Sequence, residues 1–258
     1  MSLLVARRGI LAAGAAPTPA PSDDYATVVA ADSPFAWWRF EETSGSTVAD
    51  EIGTNDGTVF GANLDVASFG DTGSAIDFDG VDDYVDIPHA SELNAGNTFT
   101  LECLLKLDTP DADSSFWAVD KTNTSSSNGQ YFLGYDNRSS QGSPQRIRFQ
   151  CGTSGGSDGQ ADWSGSNARD AIAAGVHLVG TFDVNASVSH RLYANGVEVA
   201  ASSSGSIGVS GNTLNLRIAA LQSSLGRWDG IADEVALYDK VLSPARIAAH
   251  ATAAGLGS

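Results

Sequence analysis

Apolar and polar residues alternate along most of this chain with a period of two, the spacing at which strand side chains point to opposite faces of a sheet. The clearest run is Thr98-Phe-Thr-Leu-Glu-Cys-Leu-Leu-Lys-Leu107, where Phe99, Leu101, Cys103, Leu105 and Leu107 share one face. In Arg146-Ile-Arg-Phe-Gln-Cys151 the same pattern aligns Ile147, Phe149 and Cys151. Further strands are predicted over 36–40, 58–60, 75–78, 84–87, 116–120, 131–135, 177–183, 190–194, 197–200, 214–219 and 231–238. Clusters of Gly, Asn, Asp and Ser separate them, as turns require. Asn195-Gly196 predicts a type I′ hairpin joining Arg191–Ala194 to Val197–Ala200, because both central positions favour positive φ.

One segment switches to a helical pattern. Ser243 is a candidate N-cap with Pro244 at the first position, Ala245 to Ala253 follow, and Gly255 closes the helix. The prediction is an all-β antiparallel sandwich with a short C-terminal helix, a single domain over 25–258 and no internal repeat.

The first 24 residues stand apart. Met1-Ser-Leu-Leu-Val-Ala-Arg-Arg-Gly-Ile-Leu-Ala-Ala-Gly-Ala-Ala16 leads into Pro17-Thr-Pro-Ala-Pro21. The apolar run after Arg8 is at the short edge for a secretory signal. An extended arm with a semi-rigid Pro/Ala linker is the preferred reading, and a signal segment is the other. No stretch reaches the ~20 apolar residues that span a bilayer.

Composition sharpens this division. Of 258 residues, 42% are hydrophobic and 17% charged, as in a globular protein, and the 28 glycines fit many turns. The formal net charge of -17 argues against nucleic acid and anionic membranes as partners. Arg7 and Arg8 are the only charges before Ser22, so the arm carries +2 and the remainder -19. A basic arm on an acidic body predicts an assembly contact with an acidic neighbour.

Cys103 and Cys151 are the only cysteines, both on inward faces of their strands. They bridge if those strands are neighbours; otherwise they are two small buried hydrophobes.

Five segments occur in an informative order: Phe35-Ala-Trp-Trp-Arg-Phe-Glu-Glu-Thr-Ser-Gly45, Asn55-Asp-Gly-Thr58, Phe78-Asp-Gly-Val-Asp-Asp-Tyr-Val-Asp-Ile-Pro88, Leu192-Tyr-Ala-Asn-Gly196, and the stretch from Trp228 through Ile-Ala-Asp-Glu-Val235 to Ser243. The set, from roughly Tyr25 to His250, resembles the laminin-G-like branch of the concanavalin A-like jelly-roll family. That resemblance implies a module that binds carbohydrate or protein, with Trp38, Phe40 and Trp228 in the core. It also implies a structural Ca²⁺ between Glu41 and Asp233, completed by carbonyls near Asn55 to Asn63, since Ca²⁺ takes oxygen ligands. The alternative is that both acids accept backbone hydrogen bonds where the chain ends meet. Asp77, Asp79, Asp82, Asp83 and Asp86 lack EF-hand spacing and read as turn and solvated-face acids.

Catalytic signatures are missing. The family's enzymes carry Glu-x-Asp-x-x-Glu on one strand, and this chain has no such string. The four histidines show no metal-ligand spacing, and no Gly-x-Ser-x-Gly elbow occurs. The chain is therefore expected not to be an enzyme. For a sugar site, the candidates that can stack on or hydrogen-bond a glycan are Trp117, Tyr131, Tyr135, Asp136, Asn137, Arg138 and Trp163. Trp163 is singled out because it falls in a polar Gly/Ser stretch, 152–167, with no strand pattern.

Arms ahead of laminin-G-like domains resemble those of tailed-phage virion proteins. That analogy implies a head decoration, spike or tail appendage on a virion surface, in a homo-oligomer, docked through its arm to other virion proteins. A secreted or cell-surface bacterial lectin is the alternative.

Overall fold

The computed structural model describes residues 25–257 except 71, 123–129, 143, 153–158, 204–210 and 223–225. The arm residues Arg7 and Arg8 lie outside them. In chain order the elements are α1 (Tyr25–Ala31), β1 (Ala36–Trp38), β2 (Thr47–Val48), β3 (Gly57–Phe60), β4 (Asn63–Ala67), β5 (Ser74–Asp79), β6 (Tyr84–Ile87) and β7 (Thr98–Leu107). They continue with β8 (Ser115–Asp120), β9 (Tyr131–Asp136), β10 (Arg146–Cys151), β11 (Gln160–Ser164), α2 (Ser166–Ala174), β12 (Val176–Asp183) and β13 (His190–Ala194). The last are β14 (Val197–Ser202), β15 (Leu216–Ile218), β16 (Asp229–Tyr238) and α3 (Pro244–Ala253).

The strands form two antiparallel sheets. One runs β14-β13-β12-β7-β16-β5-β4, with β1 also on β16; the other runs β11-β10-β9-β8-β15-β6-β3-β2. Their inner faces supply one core. Phe99, Leu101, Cys103, Leu105 and Leu107 from β7 meet Leu133, Ile147, Phe149 and Ile218 from the opposite sheet, all essentially inaccessible to water. Trp38, Phe40 and Trp228 are buried in it as expected. Cys103 and Cys151 lie on opposite sheets and are free thiols, so they are packing residues.

The hairpin turn is as predicted, with φ of 49° at Asn195 and 83° at Gly196. The C-terminal helix is capped by Ser243, whose side chain accepts from the Arg246 amide. Two helices were not legible in the sequence pattern. α1 stands where the chain read as entering its strands, and α2 fills part of the stretch expected as loop. α1 and α3 cover the outer face of the first sheet and build a second core from Tyr25, Val29, Trp37, Leu104, Val179, Tyr238 and Ile247. Trp37, which alternates opposite to Trp38, is thus buried under a helix.

A carboxylate lies at the centre of this second layer. Glu102, fully buried on β7, accepts from Tyr25 Oη at 2.9 Å and Tyr238 Oη at 2.7 Å. Its Oε1 lies 2.7 Å from His177 Nε2 and 2.9 Å from His250 Nδ1. His250 Nε2 reaches Asp32 Oδ2 at 2.8 Å, and Arg246 Nε donates to the same oxygen at 2.6 Å. Both helices are fixed by this network. Burial alone would raise Glu102, yet the His250 charge and both histidine hydrogen bonds hold it well below the usual carboxylate range.

Candidate functional site: the outer face of the second sheet

Register across the second sheet sets which side chains stand together. Trp117 on β8 is opposite Gly134 on β9, which is opposite Arg148 on β10, which is opposite Asp162 on β11. The neighbouring row carries Ser115, Asp136, Arg146 and Ser164. All alternate away from the core, so one face gathers an indole, two arginines and two aspartates. Gly134 leaves a gap in this face. Its own reason for being glycine is the Phe116 carbonyl, which an added Cβ would strike. The result is a small recess of about 30 Å³, lined by Trp117, Phe132, Gly134, Tyr135, Asp136, Arg138 and Arg148.

Each wall is held in place. Trp117 packs edge-on against Phe132, with centroids 4.3 Å apart at 70°. The Trp117 indole N–H is buried with no partner among the described residues, beside the Gly226 backbone, where any side chain would collide with the ring. Arg138 donates from Nε and Nη2 to the two oxygens of Asp136, each at 2.9 Å. Arg146 Nη2 adds a third bond to Asp136 at 2.8 Å. Burial works to raise Asp136, but the arginine hydrogen bonds outweigh it and hold the carboxyl at about 2. Arg148 pairs in the same two-pronged way with Asp162, at 2.7 Å for both bonds. Such pairs fix guanidinium planes at little further entropic cost.

The sequence candidates separate on this face. Trp117, Asp136 and Arg138 are brought together. Tyr131 and Tyr135 alternate inward with Leu133 and are buried in the core, Tyr135 at the border of the recess. Asn137 is spent on structure, its Nδ2 donating to the Ala112 carbonyl at 3.1 Å. Trp163 is not on a loop: it lies on β11 opposite Ile147, half-buried against the core. A short strand joined by hydrogen bonds to β10 supplies the order that its Gly/Ser surroundings hid. Phe132, Gly134 and Arg148 were missed, although alternation on β9 and β10 places all three outward.

A second cluster surrounds Asp233. β16 shares one edge between two partners: Asp229 to Ala232 pair with β5, and Val235 to Leu237 pair with β1. A bulge between them, with Glu234 at φ 52°, sets both Asp233 and Glu234 in the gap. Asp233 Oδ2 accepts from Thr72 Oγ1 at 2.7 Å and Ser68 Oγ at 2.8 Å, while Oδ1 is buried with no partner among the described residues. Glu41 accepts from the Ser74 amide at 3.2 Å and meets Arg39 at 3.3 Å. Both acids therefore grip the segment around Ser68 to Ser74. The Asn55 carbonyl accepts from Trp38 Nε1 at 2.8 Å. Burial, with the Glu41 charge adding to it, pushes Asp233 up to about 7. An unpartnered buried carboxylate oxygen beside a second acid fits a hard cation.

Asp79, Asp82 and Asp83 also lie close together, but they cap their own turn. Asp79 Oδ1 accepts from the Val81 amide at 2.8 Å, and Asp83 Oδ2 from the Asp79 amide at 2.9 Å.

Comparison with known proteins follows the same lines. A family model described as the concanavalin A-like lectin/glucanases superfamily matches residues 79–248. No curated protein sequence matches the chain. Among solved structures, Domain 4 of AbnA, a GH43 extracellular arabinanase from Geobacillus stearothermophilus in complex with arabinotriose, superposes with a TM-score of 0.58 at 16% identity, covering 86% of this chain and 98% of that one. Trypanosoma rangeli sialidase in complex with sialic acid gives 0.57 at 18% identity, covering 86% of this chain. This chain spans 33% of the sialidase's length. The binding domain of Paraclostridial Mosquitocidal Protein 1 gives 0.61 at 12% identity, covering 83% of this chain and 50% of that chain. At these identities the likeness concerns the fold.

Proposed function

The chain belongs to the concanavalin A-like lectin/glucanase superfamily, and on that footing we propose that it is a non-catalytic carbohydrate-binding module. The carrying observation is the Trp117–Gly134–Arg148 row. It pairs an aromatic platform with a side-chain-free recess and fixed guanidinium donors, the combination that takes a sugar ring and its hydroxyls. Domain 4 of AbnA, of closely similar extent, was solved with arabinotriose, which supports the same class of ligand here.

Several features support a binding role without catalysis. Glycoside hydrolysis uses a carboxylic acid of raised pKa and a second carboxylate. Asp136 is depressed and tied up by arginines, and Asp162 is bound to Arg148. Asp120, on β8, and Asp233, on β16, are pushed up to about 7 by burial, but both are fully enclosed. A glycan array probed with the purified protein tests the reading. Specific hits without release of reducing ends are expected; turnover of a bound glycan would replace the module with an enzyme.

We further propose that Asp233 and Glu41 hold a structural Ca²⁺, with Ser68 and Thr72 beside it. Bound there, the ion would neutralise Asp233 in the gap of β16 and Glu41 beside it. For its setting we propose a virion surface, as a decoration, spike or tail appendage in a homo-oligomer. Residues 1–24, through Arg7 and Arg8, would dock on an acidic virion protein. The support is the charge split between arm and body. An intact mass showing cleavage near Ala16 or Ala20 would favour the secreted lectin instead, and sedimentation would report the oligomer.

A further inference from the structure

Beyond β15, the outer face of the second sheet carries a second aromatic pair. Phe60 on β3 is opposite Tyr84 on β6. Their rings are stacked with centroids 4.6 Å apart at 8°. Phe60 is 43% exposed although it is a large apolar residue. Two guanidinium groups, of Arg217 and Arg227, each lie 4.9 Å from the Tyr84 ring centroid. Both are fixed elsewhere: Arg217 Nε donates to Asp86 at 3.0 Å, and Arg227 Nη1 to the Asp83 carbonyl at 3.2 Å.

β15 stops at Ile218, and Gly226 and Arg227 fill the gap beyond it, with the Trp117 amide donating to the Gly226 carbonyl at 3.0 Å. Arg227 stands over the Tyr84 ring, and its Nε is buried with no partner among the described residues. β8, which carries Trp117, and β3, which carries Phe60, are three strand spacings apart, roughly 14 Å. That is the reach of a short oligosaccharide, and it exceeds one sugar ring.

We propose that Phe60 and Tyr84 form a second sugar subsite, so that the ligand is an oligosaccharide lying across the strands from the Trp117 recess to Phe60. This rests on the sugar-binding reading of that recess and adds to it a length requirement and a direction. Phe60 presents the ring, and Tyr84 with its two arginines holds that ring upright.

The test uses the full chain on an array carrying size ladders, from one to six sugar units, of neutral and acidic polysaccharide repeats. Affinity is expected to rise with length and level off once both platforms are spanned. Phe60→Ala is expected to reduce long-ladder affinity about fivefold to tenfold, down to that of the short members, which it leaves unchanged. Phe60→Tyr, which keeps the ring, is expected to restore the length dependence. Hits whose affinity is independent of length, or indifferent to Phe60→Ala, would overturn the second subsite and leave the recess standing. No hit at any length would overturn the sugar-binding reading and this extension with it.

Discussion

Glu102 on β7 and His250 on α3 meet inside the layer between sheet and helices, 2.9 Å apart and both shut off from water. Tyr25, Tyr238 and His177 face the same carboxylate, while Asp32 and Arg246 stand at the far nitrogen of His250. Burial disfavours a charged imidazole, but Glu102 and Asp32 outweigh it and raise His250 above its ordinary value. A raised histidine contributes stability below its unfolded value, near 6.5, and loses it as pH rises through the folded value. Glu102, held low, contributes above the unfolded carboxylate value of about 4.3 and loses it only in stronger acid.

The melting temperature should therefore fall as pH is raised from 6 towards 9, and His250→Gln should flatten that slope. Asp233 and Asp120, both raised to about 7, contribute to the same fall, so the variant should reduce it without abolishing it. Thermal scans across pH on both proteins decide; identical slopes would remove His250 from the account.

The cation site predicts a linked effect. Calcium at a hundred times its dissociation constant should add about 2.7 kcal/mol of stability, reversed by chelator. Because Asp233 must give up its proton to bind the ion, affinity should strengthen as pH rises through about 7. Asp233→Asn should lose the calcium response. An unchanged melting temperature with and without calcium would leave Asp233 as a hydrogen-bonded buried acid only.

Trp163 offers a prediction of opposite character. Half-buried on β11 against Ile147, it packs the sheet edge. Trp163→Ala should cost about 2 kcal/mol, part of the loss typical of a fully buried tryptophan. Chemical denaturation measures this. Glycan affinity should be unchanged in the folded variant, and a selective loss of binding would return Trp163 to the site.

Much of the sandwich was legible because strand alternation is local. The run from Thr98 to Leu107 is predicted to the residue, and the Asn195-Gly196 turn follows from its φ requirements. The site was less legible, for a specific reason. Trp117, Gly134 and Arg148 form a row only through the pairing of three strands, and register is a long-range property. Alternation alone could have turned Tyr131 and Tyr135 inward and Phe132 outward. Trp163 misled because its Gly/Ser neighbours look like loop while the bonds to β10 make a strand. α1 was hidden because its order depends on Glu102, far away in sequence, which its Tyr25 meets.

The most direct measurement follows the five tryptophan indole N–H signals by ¹⁵N NMR while a glycan identified on the array is titrated in. Trp37 and Trp38 donate to Glu234 and the Asn55 carbonyl, Trp228 donates to the Lys106 carbonyl, and Trp163 packs on the core. Only the Trp117 signal, assigned by Trp117→Phe, should move progressively and saturate. Saturable binding that leaves Trp117 still, or that moves Trp163 instead, would contradict a sugar site on the outer face of the second sheet.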